Sequence, residues 1–368
     1  MKYKNIYVAA TSQHVGKTTS TLGLVSAFLK RGVKVGYCKP VGQKFLHVND
    51  LVVDKDAVLF ADLIHFDLVP DIHSPVILGP GATEIYLDSP DKYDLEEKIT
   101  FAADHLSKDN DLVIYEGTGH PGVGSVADLS NAKVAKLLDA GVIMVVEGGI
   151  GRTIDMLNMC KAIFDQEGVP IIGVIINKVY HDKIDRVRNY VKKWLDKKGI
   201  PLIGILPYDK TLAYPLMRSI NRAVNGTIIF NKDKEDNKIE NIIAGSLIDL
   251  QELSASQDLL LVVSTKSINN AINKIQLITK NNNFEHSPLS GIVATGQGTI
   301  DSNTLSYIEE HKIPLIRTDL DTYGSVIKIS KIEVKINRST KWKVLKAIRL
   351  IAQNVDIDFI EDQIRLED

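Results

Sequence analysis

A chain of 368 residues is too long for one ordinary hydrophobic core and implies two domains. Its 44% apolar and 24% charged residues exclude a disordered or fibrous chain. The net charge of −2 leaves no basic excess to neutralise a nucleic-acid backbone or an anionic membrane, so small molecules or proteins are the expected partners.

The opening segment MKYKNIYVAAT runs straight into a strand and holds no apolar run long enough for a signal peptide or a membrane span. Cys38 and Cys160, the two cysteines, lack metal-ligand or CxxC spacing, which suits a reducing compartment, and a cytoplasmic location is expected. From Asn5 to about Pro207, short β-branched runs alternate with amphipathic stretches, the pattern of an α/β parallel sheet. Strands are predicted at Asn5 to Ala9, Val33 to Cys38, Leu112 to Tyr115, Val142 to Val146, Ile171 to Asn177 and Leu202 to Leu206. Helices are predicted at Lys17 to Lys30, Asn131 to Leu138, Thr153 to Glu167 and Ile184 to Lys198. Runs such as VIMVV and IIGVII lack polar alternation, which places helices on both faces of the sheet.

The first domain is taken as residues 1–222, and the charge-rich NKDKEDNK, Asn231 to Lys238, as a linker. A smaller α/β domain follows at 239–335, with strand LLLVVS, helix Ile268 to Thr279, strand GIVA, helix Ser302 to His311, strand PLI and the turn LDTYGS. Residues 336–368 supply a closing amphipathic helix, Lys341 to Asn354, with Ser339 or Thr340 as candidate N-cap, and an acidic tail.

The segment Thr11-Ser12-Gln13-His14-Val15-Gly16-Lys17-Thr18-Thr19 lies directly between a strand and a helix. Backbone N–H groups of such a loop, with the positive end of the helix behind them, can surround phosphate oxygens. Lys17 adds a point charge for the β- and γ-phosphates, and Thr18 offers a hydroxyl oxygen to Mg²⁺. This is the P-loop pattern GxxxxGK[ST] with Thr11 in place of its first glycine. The reading is a P-loop NTPase-type sheet binding Mg-ATP. Glu116 ends the strand DLVIY and opens the glycine-rich EGTGHPGVGS at a carboxyl edge, where α/β proteins place ligands, so it joins Asp56 as a candidate metal ligand.

With those residues in order, the first 222 residues resemble the dethiobiotin synthetase family, whose loop is also led by threonine and ends in Val-Gly-Lys-Thr. The resemblance is carried further by Lys39-Pro40-Val41, Asp56-Ala57, Glu116-Gly117, Asn177 and Gly204-Ile205-Leu206-Pro207. It implies that Lys39 contacts substrate and phosphate, that Asp56 and Glu116 bind the metal, and that Asn177 and Pro207 line the adenine. It also implies a homodimer, since related ATPases build substrate sites across a two-fold interface. Two departures lie on the substrate side. The family's short Glu-Gly-Ala-Gly-Gly loop is here Glu116 to Gly122, and His14 replaces an acidic residue.

The stretch SVADLSNAKVAKLLDAGVIMVVEGGIGRTID is similar to cobyrinate diamide synthase and cobyric acid synthase, which draw ammonia from a glutaminase with a cysteine nucleophile. No cysteine follows Cys160. Residues 239–335 resemble the DRTGG domain through GSLIDLQ, LLLVVSTKSINNAINKI, GIVATGQGTIDSNTL and IPLIRTDLDTYGSVIKI. The two together resemble the regulatory N-terminal region of long bacterial phosphate acetyltransferases.

His120 is a candidate proton donor, although such a loop histidine more often bonds solvent or backbone, which is the reading adopted; His14 faces the same choice, with its side chain expected near the nucleotide. Gln297, Asp321 and Tyr323 could line a small pocket, but Asp, Gly and Ser in such segments are turn chemistry, which is the reading adopted. The expected function is phosphoryl activation of a carboxylate or carbamate, with Lys17 and Lys39 as catalytic groups, or slow ATP hydrolysis. The alternative is a nucleotide-dependent regulatory module that senses an unidentified small molecule. Dethiobiotin synthesis is the weaker third, because the loop after Glu116 differs.

Overall fold

In β1, Asn5–Ala10, alternate residues enter different cores: Ile6, Val8 and Ala10 pack on one face of the sheet, Tyr7 and Ala9 on the other. Such a strand must be sandwiched, and it is. The computed structural model describes residues 2–48, 51–245, 248, 253, 258–284, 286–332, 334, 336–337 and 340–365. β1 lies inside a six-stranded sheet ordered Leu202–Pro207, Ile171–Val179, Ala140–Glu147, β1, Leu112–Glu116, Val35–Cys38, with every neighbouring pair parallel. α1, Lys17–Lys30, covers the first face with Leu22, Val25 and Phe28; Leu157, Phe164, Val187 and Val191 from helices Gly151–Glu167 and Ile184–Lys198 cover the second.

The chain divides into one unit of Met1–Asp209 with Ile336–Asp368 and a second unit of Lys210–Lys335. Three expectations are thereby corrected. Residues 336–368 are not a separate appendage, because helix Lys341–Asn354 buries Val344, Ala347 and Ile351 in the same core as Leu22 and Val25 of α1. Gly23 permits this approach: a Cβ there would stand 2.2 Å from Ile351 Cβ. The chain then crosses the sheet edge, where Asp356 N–H donates to Ile203 O at 2.8 Å, and reaches Tyr3, whose carbonyl accepts from Arg365 N–H at 2.8 Å.

The first unit also ends earlier than residue 222. Helix Met217–Ala223 contributes Met217 and Ile220 to a core shared with Leu260 and Ile316 of the second unit. Residues 231–238 are no linker but a solvated turn of that unit, in which Asn231 Nδ2 donates to Ile313 O at 2.9 Å and Arg218 pairs with Asp236. A polar run marks a surface, and a turn has as much surface as a linker. Ser339, residues 366–368 and most of GSLIDLQ fall outside the described residues. Thr340 takes the N-cap position without a capping bond; its hydroxyl donates to Asn337 O at 2.8 Å.

The second sheet runs Thr227–Phe230, Leu315–Thr318, Leu289–Thr295, Leu259–Ser264, Asn241–Ala244, parallel except for the first strand. Its parallel strands follow chain order without reversal, so no crevice of the switch-point kind opens at their carboxyl edge. Asp321 there caps helix Thr322–Ser330 by accepting from Gly324 N–H at 2.6 Å, and Gln297 donates to Asp319 at 2.8 Å, both turn roles. Among the described residues no helix is long and apolar enough to cross a membrane.

One buried cation gives a test of the closing helix. Lys343 is fully buried, and burial pushes its ammonium down to about 8. The unfolded chain therefore holds more protons than the folded one between that value and the ordinary lysine value of about 10.4, so this group makes the protein more stable as pH rises through the window. Urea unfolding from pH 7.5 to 10 is expected to show that rise, and Lys343→Met to flatten it.

Candidate functional site

β1 delivers the chain to the loop, and Thr11 prolongs its pairing by donating its N–H to Val145 O at 3.1 Å. The left-handed positions of the loop are His14 (φ 61°) and Gly16 (φ 112°), not Thr11. The missing first glycine therefore creates no backbone strain. Ser12, Gln13 and His14 sit at the outer, accessible part of the loop, while Val15 is buried beneath it. Gly16 is the N-cap of α1, so the first-turn N–H groups, including those of Lys17, Thr18 and Thr19, have no carbonyl of the same helix to bond.

Four elements bring charge to this point. Lys17 donates to Gly119 O at 2.8 Å and to Ser12 O at 3.3 Å, spanning the phosphate loop and the glycine-rich loop. Thr18 Oγ1 donates to Glu116 Oε1 at 2.9 Å. Lys39, directly after strand Val35–Cys38, donates to Asp56 Oδ2 at 2.7 Å and Glu116 Oε1 at 3.1 Å. Lys39 is 5% exposed and Glu116 1% exposed. The structure thus joins Thr18, Lys39, Asp56 and Glu116 in one bonded group, while Lys17 bridges the two loops beside it and acts on Glu116 through charge.

Burial opposes the charge of Lys39, yet Asp56, Glu116 and Asp54 outweigh it and hold the ammonium well above its ordinary range. Burial pushes the Glu116 carboxyl up despite Lys39. Burial likewise raises Asp54 to about 6.

Asp54 is the residue that sequence reasoning missed. It caps helix Lys55–Ile64 by accepting from Asp56 N–H at 2.8 Å, which aims Asp56 at Lys39, and the Asp-Lys-Asp spacing was the available signal. Asn131 was missed too. It accepts from Tyr7 Oη at 2.6 Å and Thr118 N–H at 3.1 Å, and donates to Thr118 O at 2.8 Å and His120 O at 2.7 Å, fixing the loop whose Gly119 carbonyl holds Lys17. Thr118 Oγ1 ties the same loop to Val41 O. His120 is used locally, its Nδ1 accepting from Gly122 N–H at 3.2 Å.

Asn177 and Pro207 lie apart from this group. Asn177 Nδ2 donates to Val15 O at 2.7 Å, under the phosphate loop. Pro207 ends its strand, and the next residue, Tyr208, donates its N–H to Val179 O at 2.7 Å.

A divalent cation fits the group on one observation: Glu116 Oε2 is buried and has no hydrogen-bond partner. A buried carboxylate oxygen left so is costly, and an ion or its bound water would satisfy it. Among the described residues no three His, Cys, Asp or Glu side chains gather as a self-sufficient metal cage. Mg²⁺ does not need one, since it takes one or two carboxylates or hydroxyls and completes its shell with waters and phosphate oxygens.

A parallel sheet whose inner strand runs into a Gly-Lys-Thr loop and then a helix, with an acidic residue ending the adjacent strand, defines a P-loop NTPase-type domain. Residues 4–215 match the family model described as AAA domain, and the chain belongs to that family. It is 24% identical to a phosphate acetyltransferase of Haemophilus influenzae over 98% of its own length and 52% of the relative's. It is 28% identical to a cobyric acid synthase of Clostridium perfringens over 48% of its length and 41% of the relative's. The chain thus spans about half the length of four of the curated phosphate acetyltransferases it matches. Among solved structures, a MinC:MinD cell division complex of Aquifex aeolicus aligns at 18% identity and TM-score 0.38, covering 57% of this chain and 84% of that one. A plasmid partition protein of Borrelia burgdorferi bound to AMPPNP aligns at 16% identity and TM-score 0.38, covering 58% and 90%.

Proposed function

We propose that the first unit binds Mg-ATP at residues 11–19 and uses it for phosphoryl activation of a carboxylate or carbamate, or for slow hydrolysis. The observation that carries this is the bonded group of Thr18, Lys39, Asp56 and Glu116 around the unpartnered Glu116 Oε2, with Lys17 bridging the adjoining loops. When bound, Mg²⁺ neutralises charge on the phosphates, and Thr18, Glu116 and Asp56 are the residues to hold it. Lys17 would exchange its bonds to Gly119 O and Ser12 O for phosphate oxygens. Lys39, charged at any physiological pH, would hold an anionic acceptor against the transferring group. Asn131 would keep the loop from Glu116 to Gly122 in place beside that acceptor.

A second reading is favoured by the extent of the relatives. Four of the phosphate acetyltransferases match 96–98% of the chain, across both units, whereas cobyric acid synthase matches 48%. On that reading the second unit, DRTGG-like in sequence, makes the chain a nucleotide-dependent module that senses a small metabolite.

Both readings need the same site. Calorimetric titration with ATP, ADP and GTP, with and without Mg²⁺, is expected to show metal-dependent binding that Lys17→Ala weakens about 100-fold, as loss of a charged hydrogen-bond donor implies. Glu116→Gln is expected to abolish the effect of Mg²⁺ while leaving metal-free binding in place. Equal affinities with and without metal in the wild type would sink the assignment of Asp56 and Glu116, and release of phosphate during the titration separates turnover from sensing.

A further inference from the structure

The carboxamide of Asn177 is engaged on both sides. Nδ2 donates to Val15 O at 2.7 Å, and Oδ1 accepts from Lys178 N–H at 2.8 Å, where Lys178 takes a left-handed backbone (φ 58°). The residue is 5% exposed, and Val15 is buried above it. Gly16 makes the approach possible, because a Cβ at that position would lie 2.1 Å from Asn177 Nδ2.

The direction of that bond matters for the loop. In a trans peptide the carbonyl and the following N–H point opposite ways, and the structure contains no cis bond among the described residues. With Val15 O turned down onto Asn177, the N–H of Gly16 is turned up, away from the sheet. A loop can surround an anion only when its N–H groups face inward and its carbonyls face outward onto donors, since a buried carbonyl without one is costly.

We propose that Asn177 is a positioning residue for the phosphate loop, fixing the Val15–Gly16 peptide so that the Gly16 N–H faces the phosphates. This rests on the reading of residues 11–19 as a phosphate site, and it gives Asn177 a task that does not involve the base. Asn177 acts on any polyphosphate, whatever nucleoside it carries.

The test uses a ligand with no base. Mg-ATP, Mg-GTP and Mg-tripolyphosphate are titrated into the wild type, Asn177→Asp and Asn177→Ala, with melting temperatures measured in parallel. Asn177→Asp keeps the shape but sets an acceptor against Val15 O; Asn177→Ala removes the bond and serves if the aspartate variant does not fold. The expected result is a common loss of about tenfold for all three ligands, the scale of one hydrogen bond. Tripolyphosphate binding unchanged in folded variants would overturn the inference, whether or not ATP binding falls. Should the wild type bind none of the three, the phosphate-site reading itself fails, a result distinct from wild-type binding that the variants retain.

Discussion

Gly23→Ala is expected to destabilise the first unit by about 2 kcal/mol, and Gly23→Val by about 3 kcal/mol, on the scale of overpacked cores. Helix propensity works the other way, favouring alanine over glycine by about 1 kcal/mol. A loss therefore isolates the packing term. The added carbon meets Ile351 Cβ and Cγ1, each at 2.2 Å, and neither is the free end of a flexible chain that could swing aside. Relief requires helix Lys341–Asn354 to move off α1. Both tryptophans, Trp194 and Trp342, lie on helices of this unit, so urea unfolding followed by their fluorescence reads the change directly. Unaltered midpoints for both variants would contradict the close crossing.

Lys39→Met is expected to remove about 3 kcal/mol at pH 8, because taking one partner from a buried ionic group leaves its companions uncompensated. The companions are Asp56, Glu116 and, through charge alone, Asp54. The loss should shrink in metal-free buffer as pH falls. Asp54 at about 6 and the raised Glu116 both bind protons more readily folded than unfolded. Protonation thus favours the fold, an advantage present at low pH and lost as pH rises through the folded values. Removing the lysine pushes both carboxyls further up and widens that window. Denaturation at pH 8 and pH 5.5 checks the sign; an equal loss at both would show that the carboxylates are compensated elsewhere.

Much of this was legible from local pattern. The strand-loop-helix order from Asn5 to Lys30, the acid ending Leu112–Glu116 and the asparagine near the end of Ile171–Val179 each lie at a place fixed by period and punctuation. Side chains whose importance depends on distant partners were not legible. Asp54 reads as a cap until Lys39 is found beside it, and Asn131 opens a short helix with nothing nearby to show that it spans Tyr7 and the glycine-rich loop. Gly23 looks like a propensity defect inside α1. Helix Lys341–Asn354 announces an apolar face, but a face does not name what covers it. The same limit explains the misplaced boundary: polarity at residues 231–238 reports solvent contact, whereas domain membership is decided by which core Met217 and Ile220 enter.

The route of the chain, out of the first unit after Asp209 and back at Ile336, bears on its synthesis. A ribosome extrudes all six strands of the large sheet before it makes the helix that shields α1, so the nascent protein carries a bare apolar stripe that calls for chaperone cover until the closing residues emerge. A fragment cut at Asp209 would keep that stripe. Because Lys346 Nζ and Asp209 Oδ2 are held together at 2.9 Å, splicing the chain from Ile336 onward onto Asp209 through a short glycine bridge keeps the closing helix and its core residues with the first unit.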